Sequence, residues 1–150
     1  MIEKLDHKNI VISEKIRFIF QNSYAIEAKL LNAIDFPPLK RTLVEFLNSE
    51  TAFYGYMKNN EISAIIEIEN NESSTEIHSL VVDPKFFRQG LAKNLINFVI
   101  KSFNSEIFYV ETGLDNIPAV QLYEQFNFKE IKQWETDYGV KKIRYEKVKN

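Results

Sequence analysis

The chain reads as a single α/β domain, residues 1–150, built on one mixed sheet with helices packed against it. Three observations predict this. Strand-like runs come in hairpin pairs near residues 51–82 and 128–148, joined by turn-forming residues. Between the hairpins lies a strand–helix–strand unit, Thr75 to Thr112, which requires a mixed rather than a purely antiparallel sheet. Finally, 150 residues with 45% hydrophobic and 13% aromatic content match one ordinary domain with a full core.

Each element follows from local pattern. Ile2-Glu3-Lys4-Leu5 is a short first strand. From about His7 to Ala33, Ile12, Ile16, Ile19, Ile26 and Leu30 recur at helical spacing, with Glu14, Arg17, Gln21 and Lys29 off the stripe. Pro37-Pro38 ends that pattern, and Leu39 to Leu47 is a second, shorter helix. The period then falls to two. Thr51 to Met57 is an aromatic strand, and Asn59-Asn60, tolerant of positive φ, turns it into a hairpin. In the strand that follows, Ile62, Ala64, Ile66 and Ile68 take one face, while Ser63, Glu67 and Glu69 take the other. Asn70 to Ser74 is a turn, Thr75 to Val82 a strand, and about Arg88 to Phe103 an apolar-periodic helix. Ile107 to Thr112 is a buried strand. Asn116 caps a helix from Ile117 to about Gln125, with Pro118 in its first turn. Strands near Phe128–Thr136 and Val140–Val148 close the domain around Asp137-Tyr138-Gly139.

Composition excludes several chemistries. The absence of cysteine removes disulfides, thiolate nucleophiles and thiolate zinc sites, and two histidines argue against a multi-histidine metal centre, so no metal is expected. A net charge of −2 gives no bulk attraction to nucleic acid or an anionic membrane. The basic residues Lys141, Lys142, Arg144, Lys147 and Lys149 read as a solvated strand face. No apolar run reaches membrane-spanning length and no secretion signal opens the chain, so a cytoplasmic location is the default. Glu67, Glu69 and Glu111 read as surface carboxylates in preference to the border of an acceptor pocket.

Two segments carry the chemistry. In Val81-Val82-Asp83-Pro84-Lys85-Phe86-Phe87-Arg88-Gln89-Gly90-Leu91-Ala92, a β-branched run ends at a proline and Gly90 opens a helix. A helix start has orphan N–H donors and partial positive charge, and small Gly90 and Ala92 let a phosphate approach the backbone. The second segment runs from Asn116 to Phe128 as Asn116-Ile117-Pro118-Ala119-Val120-Gln121-Leu122-Tyr123-Glu124-Gln125-Phe126-Asn127-Phe128. Together the two resemble the GNAT superfamily of acyl-CoA-dependent N-acetyltransferases. Asn127 fills the glycine slot of the second signature, where asparagine tolerates positive φ. Phe87 stands where the family has Gln or Arg, which removes one side-chain contact.

The resemblance implies the GNAT fold: a central, mostly antiparallel sheet, helices on both faces, and a parallel pair, Thr75–Val82 and Ile107–Thr112, that splays apart. It implies an acetyl-CoA co-substrate, with pantetheine beside Leu80, Val81 and Val82. The diphosphate would rest on the amides of Arg88, Gln89, Gly90, Leu91, Ala92 and Lys93, and Asn116, Ala119 and Tyr123 would line the far side. Tyr123 would protonate the departing sulfur, or else is an aromatic that packs its ring into the sheet with its hydroxyl at the rim. For the base, strand alternation puts Glu76, His78, Leu80 and Val82 on one face. His78 is either a base acting on the amine or a histidine tucked between strand and helix, and Glu76 either binds the cationic amine or is solvated. The partners implied are acetyl-CoA and a primary amine, and family habit allows a homodimer. The alternative function is a catalytically silent CoA-binding module on the same fold.

Overall fold

The structure, a computed structural model, describes residues 1–149. In chain order the elements are β1 (Ile2–Leu5), α1 (Ile10–Leu31), α2 (Leu43–Leu47), β2 (Ala52–Lys58), β3 (Glu61–Asn70), β4 (Ser74–Val82), α3 (Leu91–Ser102), β5 (Ile107–Gly113), α4 (Ile117–Gln125), β6 (Lys129–Glu135) and β7 (Lys141–Val148). They form a seven-stranded sheet in the order β1-β2-β3-β4-β5-β7-β6, in which β4 and β5 are the parallel pair.

Local chemistry sets most boundaries. The Asn9 side chain accepts from the Val11 and Ile12 amides to start α1, and Asn32, at φ 52°, ends it in a left-handed cap. Thr42 and Glu45 form a reciprocal capping box for α2. Asn59 and Asn60 both take positive φ in the β2–β3 turn, and Asn127 takes φ 65° just after α4.

The core has two layers. Ala64, Ile66, Ile68 and Ile77 pack under α3 through Leu91, Leu95, Ile96 and Val99. On the opposite face Phe53, Ile65 and Val81 meet Ile16, Ile19 and Phe20 of α1 and Phe46 of α2.

Four expectations need correction. The second half of the α1 stripe is not buried: Ile26 and Leu30 are exposed, because this part of the helix overhangs a cleft instead of the sheet. The segment from Leu39 to Leu47 is not one helix but a 3-10 turn at Pro37–Lys40 followed by α2, since the chain must reset at Thr42 to cap it. Glu67 is no surface carboxylate but 2% exposed beneath α1. The basic C-terminal face is not uniformly solvated either, because Arg144 and Lys142 are drawn into ion pairs across the sheet.

Gly113, at the end of β5, lets α1 sit close. A Cβ built there would lie 2.7 and 2.8 Å from the two methyls of buried Leu31. Gly113→Ala is therefore expected to push the end of α1 outward and destabilise the fold by about 1–3 kcal/mol, the usual range for overpacking. A thermal melt checks it, and an unchanged midpoint would show that Leu31 repacks freely.

Candidate functional site

The site begins where the sheet comes apart. β4 and β5 pair only from Ser74↔Ile107 to Ile77↔Val110. Beyond that rung β4 stays bonded to β3 as far as Val82, and β5 to β7 as far as Gly113, but not to each other. The facing edges of both strands are thus left open, and a cavity of about 680 Å³ fills the gap.

A bulge starts the divergence. Glu67 opposes Ser79 and Ile68 opposes Ile77, so His78 is an extra residue in β4. Its exposed ring lines the cleft, with Nε2 3.0 Å from Glu69 Oε1. The bulge also overturns the alternation expected from sequence. Leu80 and Val82 face the α3 layer with Ile77, whereas Glu76, register partner of Glu69, belongs to the α1 face. Glu76 is held there by a two-pronged pair with Arg144, both contacts 2.9 Å, and does not line the cleft. Val81 likewise turns its side chain into the α1 core, leaving only its backbone toward the open edge.

The start of α3 closes one end of the cleft. Arg88 (φ 65°) and Gly90 (φ 75°) are both left-handed, which bends successive amides into a concave nest of donors. A left-handed arginine is costly and points to a ligand clamp. No side chain caps α3 at Gly90, and a Cβ at Gly90 would meet nothing within 4 Å, so the helix start is open. The Gln89 side chain accepts from Lys58, which holds it to one side. All six residues from Arg88 to Lys93 line the cavity.

α4 forms the far wall with Asn116, Ala119 and Tyr123. The Asn116 amide is engaged within the protein. Its Oδ1 caps α4 by accepting from the Ala119 amide at 3.3 Å, and its Nδ2 donates to Glu27 Oε1 at 2.6 Å. Tyr123 is 4% exposed, its ring edge-on to Phe128 at 5.7 Å and tilted on Tyr145 at 6.2 Å. Among the described residues its hydroxyl has no hydrogen-bond partner, and only Ser13 Oγ is both sealed and unpaired, so the Tyr123 hydroxyl opens to the cleft. Burial, then the proximity of Tyr24 and Glu27, pushes its phenol far above the ordinary tyrosine value.

The cleft carboxylates divide into two kinds. Glu111 of β5 accepts from Arg144 at 2.8 Å and pairs with Lys142 at 3.5 Å. Glu27 of α1 has no cation within salt-bridge distance among the described residues, and burial raises its pKa against the opposing pull of Asn116 and Lys142. Beneath α1, burial also pushes Glu67 upward, but hydrogen bonds and charge from Arg41, with Thr51 and Ser79, carry it net below the ordinary carboxylate value. Arg41 holds both Glu67 oxygens, at 2.7 and 2.9 Å, and stacks 4.2 Å above the Phe46 ring.

Of the residues singled out from sequence, the structure gathers His78, Leu80, Val82, Arg88 to Lys93, Asn116, Ala119 and Tyr123 around one cleft, and leaves Glu76 outside it. From sequence, Glu27 is placed only in a helix whose counterpart in the resembled family helps shape the acceptor site, and it is assigned no role of its own. Its signal is faint: a carboxylate beside the exposed end of the α1 stripe.

Residues 17–128 match the family described as Acetyltransferase (GNAT) family. The chain is 32% identical over 141 residues to the UPF0157 protein YqkA of Bacillus subtilis (strain 168), covering 93% of this chain and 41% of that protein. It is 38% identical over 58 residues to an N-alpha-acetyltransferase of Saccharolobus solfataricus, covering 36% of this chain and 35% of that one. The chain thus spans roughly a third to a half of the length of the curated relatives it matches. Its fold is shared by the ribosomal-protein-S18-alanine N-acetyltransferase from Escherichia coli, with TM-score 0.76 and 20% identity over 97% of this chain and 91% of that chain. It is shared too by the PaiA N-acetyltransferase from Thermoplasma acidophilum, solved in complex with coenzyme A, with TM-score 0.76 and 16% identity over 99% of this chain and 98% of that chain.

Proposed function

We propose, for a chain that belongs to the acetyltransferase (GNAT) family, that it moves an acetyl group from acetyl-CoA to a primary amine by direct attack, with no covalent enzyme intermediate. The observation that carries this reading is the gap between β4 and β5, with open strand edges, a donor nest at one end and a free tyrosine hydroxyl at the other.

The residues present fit the co-substrate. Past the His78 bulge, the β4 backbone from Leu80 to Val82 is bonded to β3 on one side and open on the other, which suits an amide-bearing pantetheine arm. The amides from Arg88 to Lys93, at an uncapped helix start, suit a diphosphate. When bound, acetyl-CoA supplies an activated thioester carbonyl. The chain does the rest: it excludes water from an apolar wedge, orients the amine, and holds a proton on Tyr123 for the leaving sulfur. His78, on the bulge, lines the same space. The coenzyme A complex of a fold neighbour supports the choice of co-substrate.

The test is calorimetric titration with coenzyme A, together with thiol release from acetyl-CoA against a panel of primary amines. Saturable heat and amine-dependent thiol release are expected. Gly90→Ala is expected to weaken coenzyme A several-fold. Its methyl faces the open side of the nest, and alanine in the left-handed region costs roughly 1 kcal/mol. No heat with coenzyme A would overturn the reading.

A further inference from the structure

We infer that Glu27 receives the acceptor's ammonium group and takes its proton, and that the acceptor carries this amine on an apolar flank. The inference rests on the acetyl-transfer reading above and adds what that reading leaves open: where the amine docks.

Four features of Glu27 converge. It sits on the half of α1 that overhangs the cleft and lines the cavity. Asn116 Nδ2, 2.6 Å from Oε1, fixes the carboxylate, while Asn116 itself is fixed as the α4 cap. Oε2 has no partner among the described residues and is not sealed from the cleft. The other carboxylate of the cavity lining, Glu111, is already paired with Arg144 and Lys142, and His78 with Glu69, while the cavity cations Arg88 and Lys93 stand at the α3 start. A partly buried carboxylate with one oxygen clamped and the other bare is incomplete without a cation. Around it Leu31, Phe36 and Val140 form an apolar patch, with Pro38 and Tyr138 on the same wall, which sets the flank of the acceptor.

The chemistry balances with groups already placed. The ammonium gives one proton to Glu27 Oε2, and the freed lone pair forms the C–N bond. The C–S bond breaks, and the sulfur takes the Tyr123 proton. The second proton shed by nitrogen restores the tyrosine through water, and Glu27 returns its own to solvent.

The groups facing Glu27 are Tyr24 on α1, Asn116 and Tyr123 on α4, Lys142 on β7 and, across the cavity, Glu111 on β5. The base must be ionised, so kcat/KM rises as pH passes upward through the Glu27 pKa. Burial places that limb above the ordinary carboxylate range.

The experiment compares the unaltered chain, Glu27→Gln and Glu27→Asp, using acetyl-CoA with hexylamine, 1,6-diaminohexane and a tripeptide amide bearing a free apolar N-terminus. Glu27→Gln is expected to lower kcat/KM by about 10²–10³-fold and erase the pH limb. Coenzyme A affinity should be kept, and the melting midpoint should be no lower. Glu27→Asp should keep the limb at intermediate activity. Equal turnover and an equal pH profile in Glu27→Gln overturn the inference and leave acetyl transfer standing. A large fall in melting midpoint or in coenzyme A affinity makes Glu27 a strut and also overturns it. Coenzyme A binding without thiol release from any probe by the unaltered chain overturns both readings.

Discussion

Tyr123→Phe is expected to cut amine-dependent thiol release by about 10²–10⁴-fold, the usual weight of a positioned acid, while leaving the fold intact. The substitution removes one oxygen. The ring keeps its contacts with Phe128 and Tyr145, and among the described residues the hydroxyl has no partner to orphan. Because burial raises the phenol pKa, Tyr123 keeps its proton throughout the neutral range. The raised pKa makes the phenol the weaker acid, so the transfer is driven by the developing thiolate, whose own basicity rises in the same desolvated space. Thiol release under saturating acetyl-CoA and amine measures the effect, with coenzyme A calorimetry as the control. Full activity in the variant would remove Tyr123 from the chemistry.

The second large effect is on stability. Arg41→Ala is expected to cost about 3–5 kcal/mol, as when one partner of a buried pair is removed. Glu67 is 3% exposed at its side chain and Arg41 24%, so solvent screens the pair little. Thr51 and Ser79 still donate to Glu67, at 2.6 and 3.0 Å, but cannot neutralise its charge. The pH dependence gives a second readout. In the unaltered chain Glu67 is held below its unfolded value, so its stabilisation is present above that value and lost as pH falls through the folded one. Without Arg41, burial is opposed only by the Thr51 and Ser79 hydrogen bonds and the folded value moves up, so the variant loses less stability in acid than the unaltered chain. The difference in denaturant midpoint between the two proteins should therefore narrow as pH falls from neutrality. A constant gap would mean that the loss comes from the aromatic stacking of Arg41 on Phe46, not from the charge.

Much of the architecture was legible because it is written in short-range chemistry. Asparagines at turns and caps, prolines at helix starts and the switch in hydrophobic period located the elements to within a few residues. The α4 boundaries, set by Asn116 and Pro118, agree with the reading from sequence. The α3 end of the cleft was legible for the same reason, since its donors are backbone amides positioned by a glycine and a helix start. The carboxylates were not legible, because their fates are decided across strands. One inserted residue at His78 reverses the side to which Glu76 points relative to Leu80. A partner 26 residues away turns Glu67 from a solvated group into a buried one, and Glu27 meets Asn116 across 89 residues of chain. No periodicity records such distances.

The short parallel pairing has a mechanical consequence. Four strands, β1 to β4, make one plate and three, β5 to β7, make another. Strand to strand, four residue pairs and the Arg144–Glu76 rivet join them, with Ser105 and Glu106 bonded to Thr75 and Ser73 at the closed end. A molecule wedged into the seam would bond to both plates at once and act as mortar. Occupancy of the cleft would then stiffen the whole sheet, and the emptied protein would be the looser one, ready to let its product slide out.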